Sequence, residues 1–116
     1  RHWGSVTPVV YDQHGKAKDR ATYLAECAAS VETAMKRVVG EDVEVRVRVS
    51  QISPVPGVPP GRQFPRMKRK DGSERRHTHV EVEFDRPVVG PLLVGAGRFR
   101  GYGLLRPIEF YARESE

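Results

Sequence analysis

A chain of 116 residues with a net charge of +5 is one domain with a modest core. No apolar run approaches membrane-spanning length and no signal-peptide pattern opens the chain, so no membrane partner is expected. A single cysteine, Cys27, excludes an internal disulfide framework and fits a reducing cytoplasm.

Residues 3–11 are rich in β-branched and aromatic side chains and predict a strand, with Pro8 marking an edge or a bulge. The opening Arg1-His2-Trp3-Gly4 runs straight into it, which reads as an excerpt of a longer multidomain chain. A polar stretch with His14, Lys16 and Lys18 follows. From about residue 20 to 39, Leu24, Cys27, Ala28, Val31, Ala34, Met35 and Val38 recur at steps of three and four, the signature of one helical face. Gly40 stands where a C-terminal cap belongs. Cys27 lies on that apolar stripe and reads as core.

Residues 41–50 alternate, with Val43, Val45, Val47 and Val49 on one side and Glu44, Arg46 and Arg48 on the other, predicting a half-buried strand. Residues 51–76 form a proline-rich and then basic loop. Its basic part, 62–76, holds seven basic residues against two acids, while the rest of the chain holds thirteen of each. The whole charge excess is therefore local, as in an element that follows a phosphate backbone; an ordinary solvated charge run is the bland alternative. Asp71-Gly72 is a plausible turn. Residues 76–85 alternate again, with Thr78, Val80, Val82 and Phe84 facing the core and His77, His79, Glu81 and Glu83 opposite. A short helix is expected within 87–97 and a last strand over 104–111.

Between those two elements, Gly90, Gly95, Gly97, Gly101 and Gly103 are interleaved with Arg98, Phe99, Arg100 and Tyr102. Closely spaced glycines let backbone amides approach a ligand, arginine forks suit phosphate, and aromatic rings can stack on bases. No Gly-Lys-Ser/Thr follows, and a strand rather than a helix comes after the glycines, so neither a Walker A loop nor a dinucleotide fingerprint is present. A tight exposed turn with merely solvated arginines is the alternative.

The element order predicts an α+β, ferredoxin-like (RRM-like) β-α-β-β-(short α)-β domain spanning 1–116, with a C-terminal Gly-rich loop and one sheet face free for RNA. No aromatic RNP motif lies on the predicted strands, which argues against an ordinary RNA recognition motif. Trp3-Gly-Ser-Val-Thr-Pro-Val-Val, His79-Val-Glu-Val-Glu-Phe, Pro87-Val-Val-Gly-Pro and Gly95-Ala-Gly-Arg-Phe-Arg-Gly-Tyr-Gly-Leu-Leu-Arg-Pro together resemble the CRISPR-associated RAMP superfamily. Within it they look like the C-terminal processing half of the large fused subunit of type I-G (formerly I-U) effector complexes. In many relatives a histidine stands at the position of Phe99 or Arg100, a departure that bears on any catalytic role for the loop.

The resemblance implies a metal-independent, cofactor-free endoribonuclease that matures CRISPR precursor RNA and keeps the product inside the effector complex, beside its other subunits. The ribose 2′-hydroxyl attacks the adjacent phosphate, leaving a 2′,3′-cyclic phosphate and a 5′-hydroxyl. That chemistry needs a histidine near neutral pKa, and cations or amides on the phosphorane. His14, in the connection before the helix, and His79 are the candidate catalytic residues. Lys16, Lys68, Arg69, Lys70, Arg75, Arg76, Gly95, Gly97, Arg98, Arg100, Gly101, Tyr102 and Gly103 are the candidate RNA-binding residues. Tyr11 and Tyr102 are lesser candidates for orienting the ribose. His77-x-His79 without a third ligand is weak as a metal site, and no metal is expected. The same loop on a non-catalytic RNA-holding domain, or on a protein-interaction domain, are the alternatives.

Overall fold

The computed structural model describes residues 1–11 and 19–108. Its elements are β1 (His2–Ser5), β2 (Val9–Val10), α1 (Arg20–Val39), β3 (Val45–Ser50), β4 (His77–Phe84), β5 (Leu92–Leu93) and β6 (Leu104–Pro107). Two 3-10 turns, Gly61–Gln63 and Arg98–Arg100, complete them. The architecture is α+β: one helix on an antiparallel sheet in the order β3-β4-β1-β6-β5. The expected first strand is broken, because β1 and β2 pair with β4 out of step with each other, and Pro8 sits in the break.

The helix forms where its signals lie. Asp19 caps it, accepting from the Thr22 amide at 2.8 Å, and Gly40, at φ 122°, donates to the Lys36 carbonyl at 2.9 Å. Lys36 and Arg37 in the last turn complement the helix dipole. Cys27, Val31 and Met35, four residues apart, are buried against Val80, Val82 and Phe84 of β4, with Trp3, Val9, Leu92 and Leu105 from the other strands. Val38, read as part of the stripe, is turned outward at 59 % exposure. The third strand is shorter than expected and begins at Val45.

The short helix expected within 87–97 is not what forms there. The segment turns at Gly90, then enters β5 at Leu92. Pro87 and Pro91 remove helix donors, and Gly90 is held so close to Trp3 that a Cβ would lie 2.6 Å from the indole ring. Of the expected last strand, 104–107 are strand and 109–111 lie outside the described residues.

The sheet face opposite α1 is covered around His77, His79 and Gly4, which corrects the wholly open RNA-binding face expected from the sequence. Residues 51–65 lie across it. Ser53 donates to the Ser5 carbonyl at 2.6 Å, and a Cβ on Gly4 would lie 2.7 Å from Pro54. The glycine-rich segment is tied to the chain beside it, with Ala96 donating to the Val10 carbonyl at 2.9 Å and Gly103 to that of Pro8 at 2.8 Å, while Arg46 and Arg48 of β3 stay exposed on this face. The two loops meet at Tyr102, whose hydroxyl donates to the Pro65 carbonyl at 2.5 Å. Five prolines lower the entropy cost of ordering a segment this long in an extended path over the strands. Among the described residues no helix is long and apolar enough to cross a membrane.

Candidate nucleic-acid interface

His79 is fully buried under the proline-rich segment and both its ring nitrogens are engaged. Nε2 donates to the Pro59 carbonyl at 2.9 Å, so Nδ1 must be the acceptor, and Ser5 Oγ donates to it at 2.8 Å. Ser5 Oγ in turn accepts from the Val80 amide at 2.8 Å. Phe64 stands edge-on to the imidazole with centroids 5.7 Å apart. His77 is also buried, 5 % exposed, with Nε2 donating to the Gly61 carbonyl at 2.6 Å and Nδ1 without a partner. Both histidines therefore pin a loop carbonyl to β4. As placed, His79 has no path to a scissile phosphate, and its position argues for a structural role. The other candidate base, His14, and Lys16 lie outside the described residues.

Burial lowers the pKa of both imidazoles, more than their carbonyl partners raise it. A lowered folded value means that the unfolded chain binds the protons first. The stability these sites contribute is then whole above the ordinary pKa of 6.5 and is lost as the pH falls below it. We expect a lower urea midpoint at pH 5 than at pH 7.5. That window avoids the carboxylates of Asp19, Asp71 and Asp85, whose pKa values are lowered from 3.8. An unchanged midpoint would contradict the buried, neutral placement.

The glycines of the C-terminal segment are explained mainly by their own fold. A Cβ on Gly95 would lie 2.6 Å from the Val10 carbonyl oxygen, and one on Gly97 2.7 Å from Met67 Sδ. At Gly103 the Val94 carbonyl occupies the space outright. Gly101 has nothing within 4 Å. The amides of Ala96, Arg98, Arg100, Tyr102 and Gly103 already donate to backbone carbonyls. The backbone cradle expected from the sequence is thus largely closed on itself, and the side chains of its 3-10 turn are what it displays. Phe99 is 86 % exposed, and the Arg98 guanidinium lies 4.6 Å over its ring while donating to the Gly95 carbonyl at 3.0 Å. Arg100 is exposed beside it.

The basic run is a hairpin rather than a loop. Arg75 donates to the Met67 carbonyl at 2.7 Å, Arg69 to that of Ser73 at 2.7 Å, and Lys68 bridges Glu74. Asp71 organises the turn by accepting from the Ser73 amide and hydroxyl, and Gly72 takes φ 90°. Arg69 turns inward, donating to Ser73 Oγ and the Glu74 carbonyl. Lys68, Lys70 and Arg76 are exposed and Arg75 half-buried. Met67, at the hairpin's base, packs against Gly97. The two basic features separated in sequence thus join into one surface. Arg66, Lys68, Lys70, Arg98 and Arg100 form no ion pair with another described residue, whereas Arg46 and Arg86 elsewhere do.

Comparison with protein-family models, with curated proteins and with solved structures finds no match. The functional reading therefore rests on this surface and on the sequence motifs.

Among the described residues no cluster of three or more His, Cys, Asp or Glu side chains could hold a metal ion. Cys27 is buried and burial raises its thiol pKa, which leaves it an unactivated core side chain. Tyr11 is equally committed: buried, its hydroxyl bonded to Thr78 Oγ1 at 2.6 Å, its pKa pushed up by burial. Sequence reasoning did not single out Arg66, Arg20 or Tyr23. With Arg76, whose guanidinium lies 4.8 Å over the Tyr23 ring, these residues line a cleft at the start of α1. Only the arrival of 66 and 76 from the two ends of one hairpin beside the helix reveals it.

Proposed function

We propose that this chain is a ferredoxin-like domain that holds CRISPR RNA within an effector complex. The observation that carries the reading is the merging of the Arg98-Phe99-Arg100 turn with the basic hairpin into one cationic surface bearing an exposed aromatic ring, on which Arg66, Lys68, Lys70, Arg98 and Arg100 form no ion pair with another described residue. Charge without carboxylate partners, next to a ring that a base can stack on, is what single-stranded RNA binding requires. The strand order β3-β4-β1-β6, with α1 crossing between the first two long elements, is compatible with the ferredoxin-like arrangement, although a strand and a 3-10 turn stand where its second helix would be. Binding of a repeat-derived RNA by this 116-residue chain, weakening steeply with salt, is the expected result. Affinity indifferent to salt would overturn it.

Cleavage of the precursor is the second reading, and it is favoured by His14. In many processing nucleases of the superfamily that this sequence resembles, the active histidine comes from the equivalent connection before the helix, often in the first of two domains rather than the second. Cleavage of repeat RNA by the intact parent protein would then persist in EDTA and stop when the scissile 2′-hydroxyl is replaced by hydrogen. His14→Ala would abolish it. Cutting at full rate by that variant would exclude His14 as the base, whereas no cutting by the unaltered protein would leave the holding role alone.

A further inference from the structure

The cleft at the start of α1 has a volume of about 340 Å³ and a composition unlike the rest of the surface. Arg20, Arg66 and Arg76 line it, from the helix and from both ends of the basic hairpin. None of the three forms an ion pair with a described residue. Asp19 is the carboxylate on the lining, and it already accepts from the Thr22 amide and hydroxyl at 2.8 Å each. Among the described residues, three guanidinium groups against one carboxylate leave an excess of two positive charges.

Two further polar groups stand on the lining. His77, 5 % exposed, spends Nε2 on the Gly61 carbonyl and leaves Nδ1 without a hydrogen-bond partner, while the Tyr23 hydroxyl has only the Cys27 thiol and the Arg76 guanidinium beside it. Burial pushes the Tyr23 hydroxyl up to about 12, so it remains a neutral donor. Buried polar groups are normally satisfied, and unsatisfied ones on a cleft wall point to something that occupies it. The Arg76 guanidinium lies 4.8 Å over the Tyr23 ring, which holds it on the cleft wall.

We propose that this cleft binds a phosphate monoester, either the terminal phosphate of an RNA strand or a free mononucleotide. A monoester carries close to two negative charges and three terminal oxygens, matching the charge excess and the three guanidinium forks. An internal phosphodiester carries one charge and offers two such oxygens. A cleft of this size takes one nucleotide-sized group. The strand-terminal arm rests on the RNA-binding reading above; the mononucleotide arm does not.

The test compares oligoribonucleotides of one sequence ending in hydroxyls, in a 5′-phosphate or in a 3′-phosphate, together with AMP against adenosine, all titrated into the 116-residue chain. A phosphate-bearing ligand should bind roughly tenfold more tightly than its hydroxyl counterpart. That preference should vanish in an Arg20→Ala, Arg66→Ala double variant. Both side chains are exposed, and an unchanged melting temperature would show the fold intact. A preference confined to RNA ends assigns the strand terminus, and one confined to AMP assigns the free nucleotide. Equal binding with and without the phosphate in every arm overturns the proposal, even if Arg98 and Arg100 prove essential for RNA. Conversely, if those two arginines prove dispensable while AMP still binds through Arg66, the RNA reading falls and this one stands.

Discussion

Replacing Arg98 and Arg100 together by alanine should lower the affinity of this chain for single-stranded RNA roughly 30-fold, about 1 kcal/mol for each lost phosphate contact. The accompanying signature matters more than the size. Each phosphate contact removed lowers the slope of log affinity against log salt by about 0.7 for a single strand, so the double variant should lose about 1.4. The loss should be nearly uniform across RNA sequences, because guanidinium groups on phosphates carry no base information. Phe99→Ala should behave differently, weakening binding by about 1–3 kcal/mol with the salt slope unchanged, since stacking releases no counterions. Exposure of 86 % makes Phe99 dispensable to the core, so its removal should leave the melting temperature where it was. If Arg98→Ala, Arg100→Ala leaves both affinity and slope untouched, the RNA surface lies elsewhere and a protein-interaction domain becomes the better reading.

Gly103→Ala should be the most destabilising single substitution in the C-terminal segment, costing about 4 kcal/mol or more, close to the whole stability of a small domain. Gly103 takes φ 72°, and an added Cβ would fall on the carbonyl group of Val94. That carbonyl's residue is itself tied back, with the Val94 amide donating to the Gly103 carbonyl at 3.1 Å, so the strand cannot move aside without breaking its own pairing. The control is two residues away. Gly101 takes φ 84° with nothing within 4 Å of a Cβ, so Gly101→Ala should cost only the left-handed penalty, about 1–2 kcal/mol. Urea unfolding of the two variants measures the difference directly. Equal midpoints would mean that Gly103 is not packed as described, and that the segment is free to present its amides to a ligand after all.

Those two glycines look alike in a string of letters, which shows where the sequence stops being informative. A glycine-rich run announces unusual backbone angles and close approaches, but not what is approached. In this fold Gly95 and Gly97 approach Val10 and Met67, which are distant in the chain. The histidines teach the same lesson. Alternation correctly placed His77 and His79 on the face opposite the helix, and alternation cannot tell whether that face meets water. It meets Pro59, Gly61 and Phe64, and His79, a candidate base in the sequence, is with His77 one of two buried side chains that hold loop carbonyls.

What periodicity and capping determined by themselves were α1, from about residue 20 to its cap at Gly40, the core faces of β3 and β4, and the concentration of charge between 62 and 76. Each is a local matter, set by 3.6- or 2-residue repeats and by the few residues that tolerate cap geometry. The tertiary structure alone decided that the proline-rich segment covers His77 and His79 on the second face of the sheet, that the basic hairpin lands beside the Arg98–Arg100 turn, and that Arg20, Arg66 and Arg76 share one cleft. Those outcomes depend on where a long connection comes to rest, and that is set by contacts such as Tyr102 to Pro65 that join residues far apart in the chain.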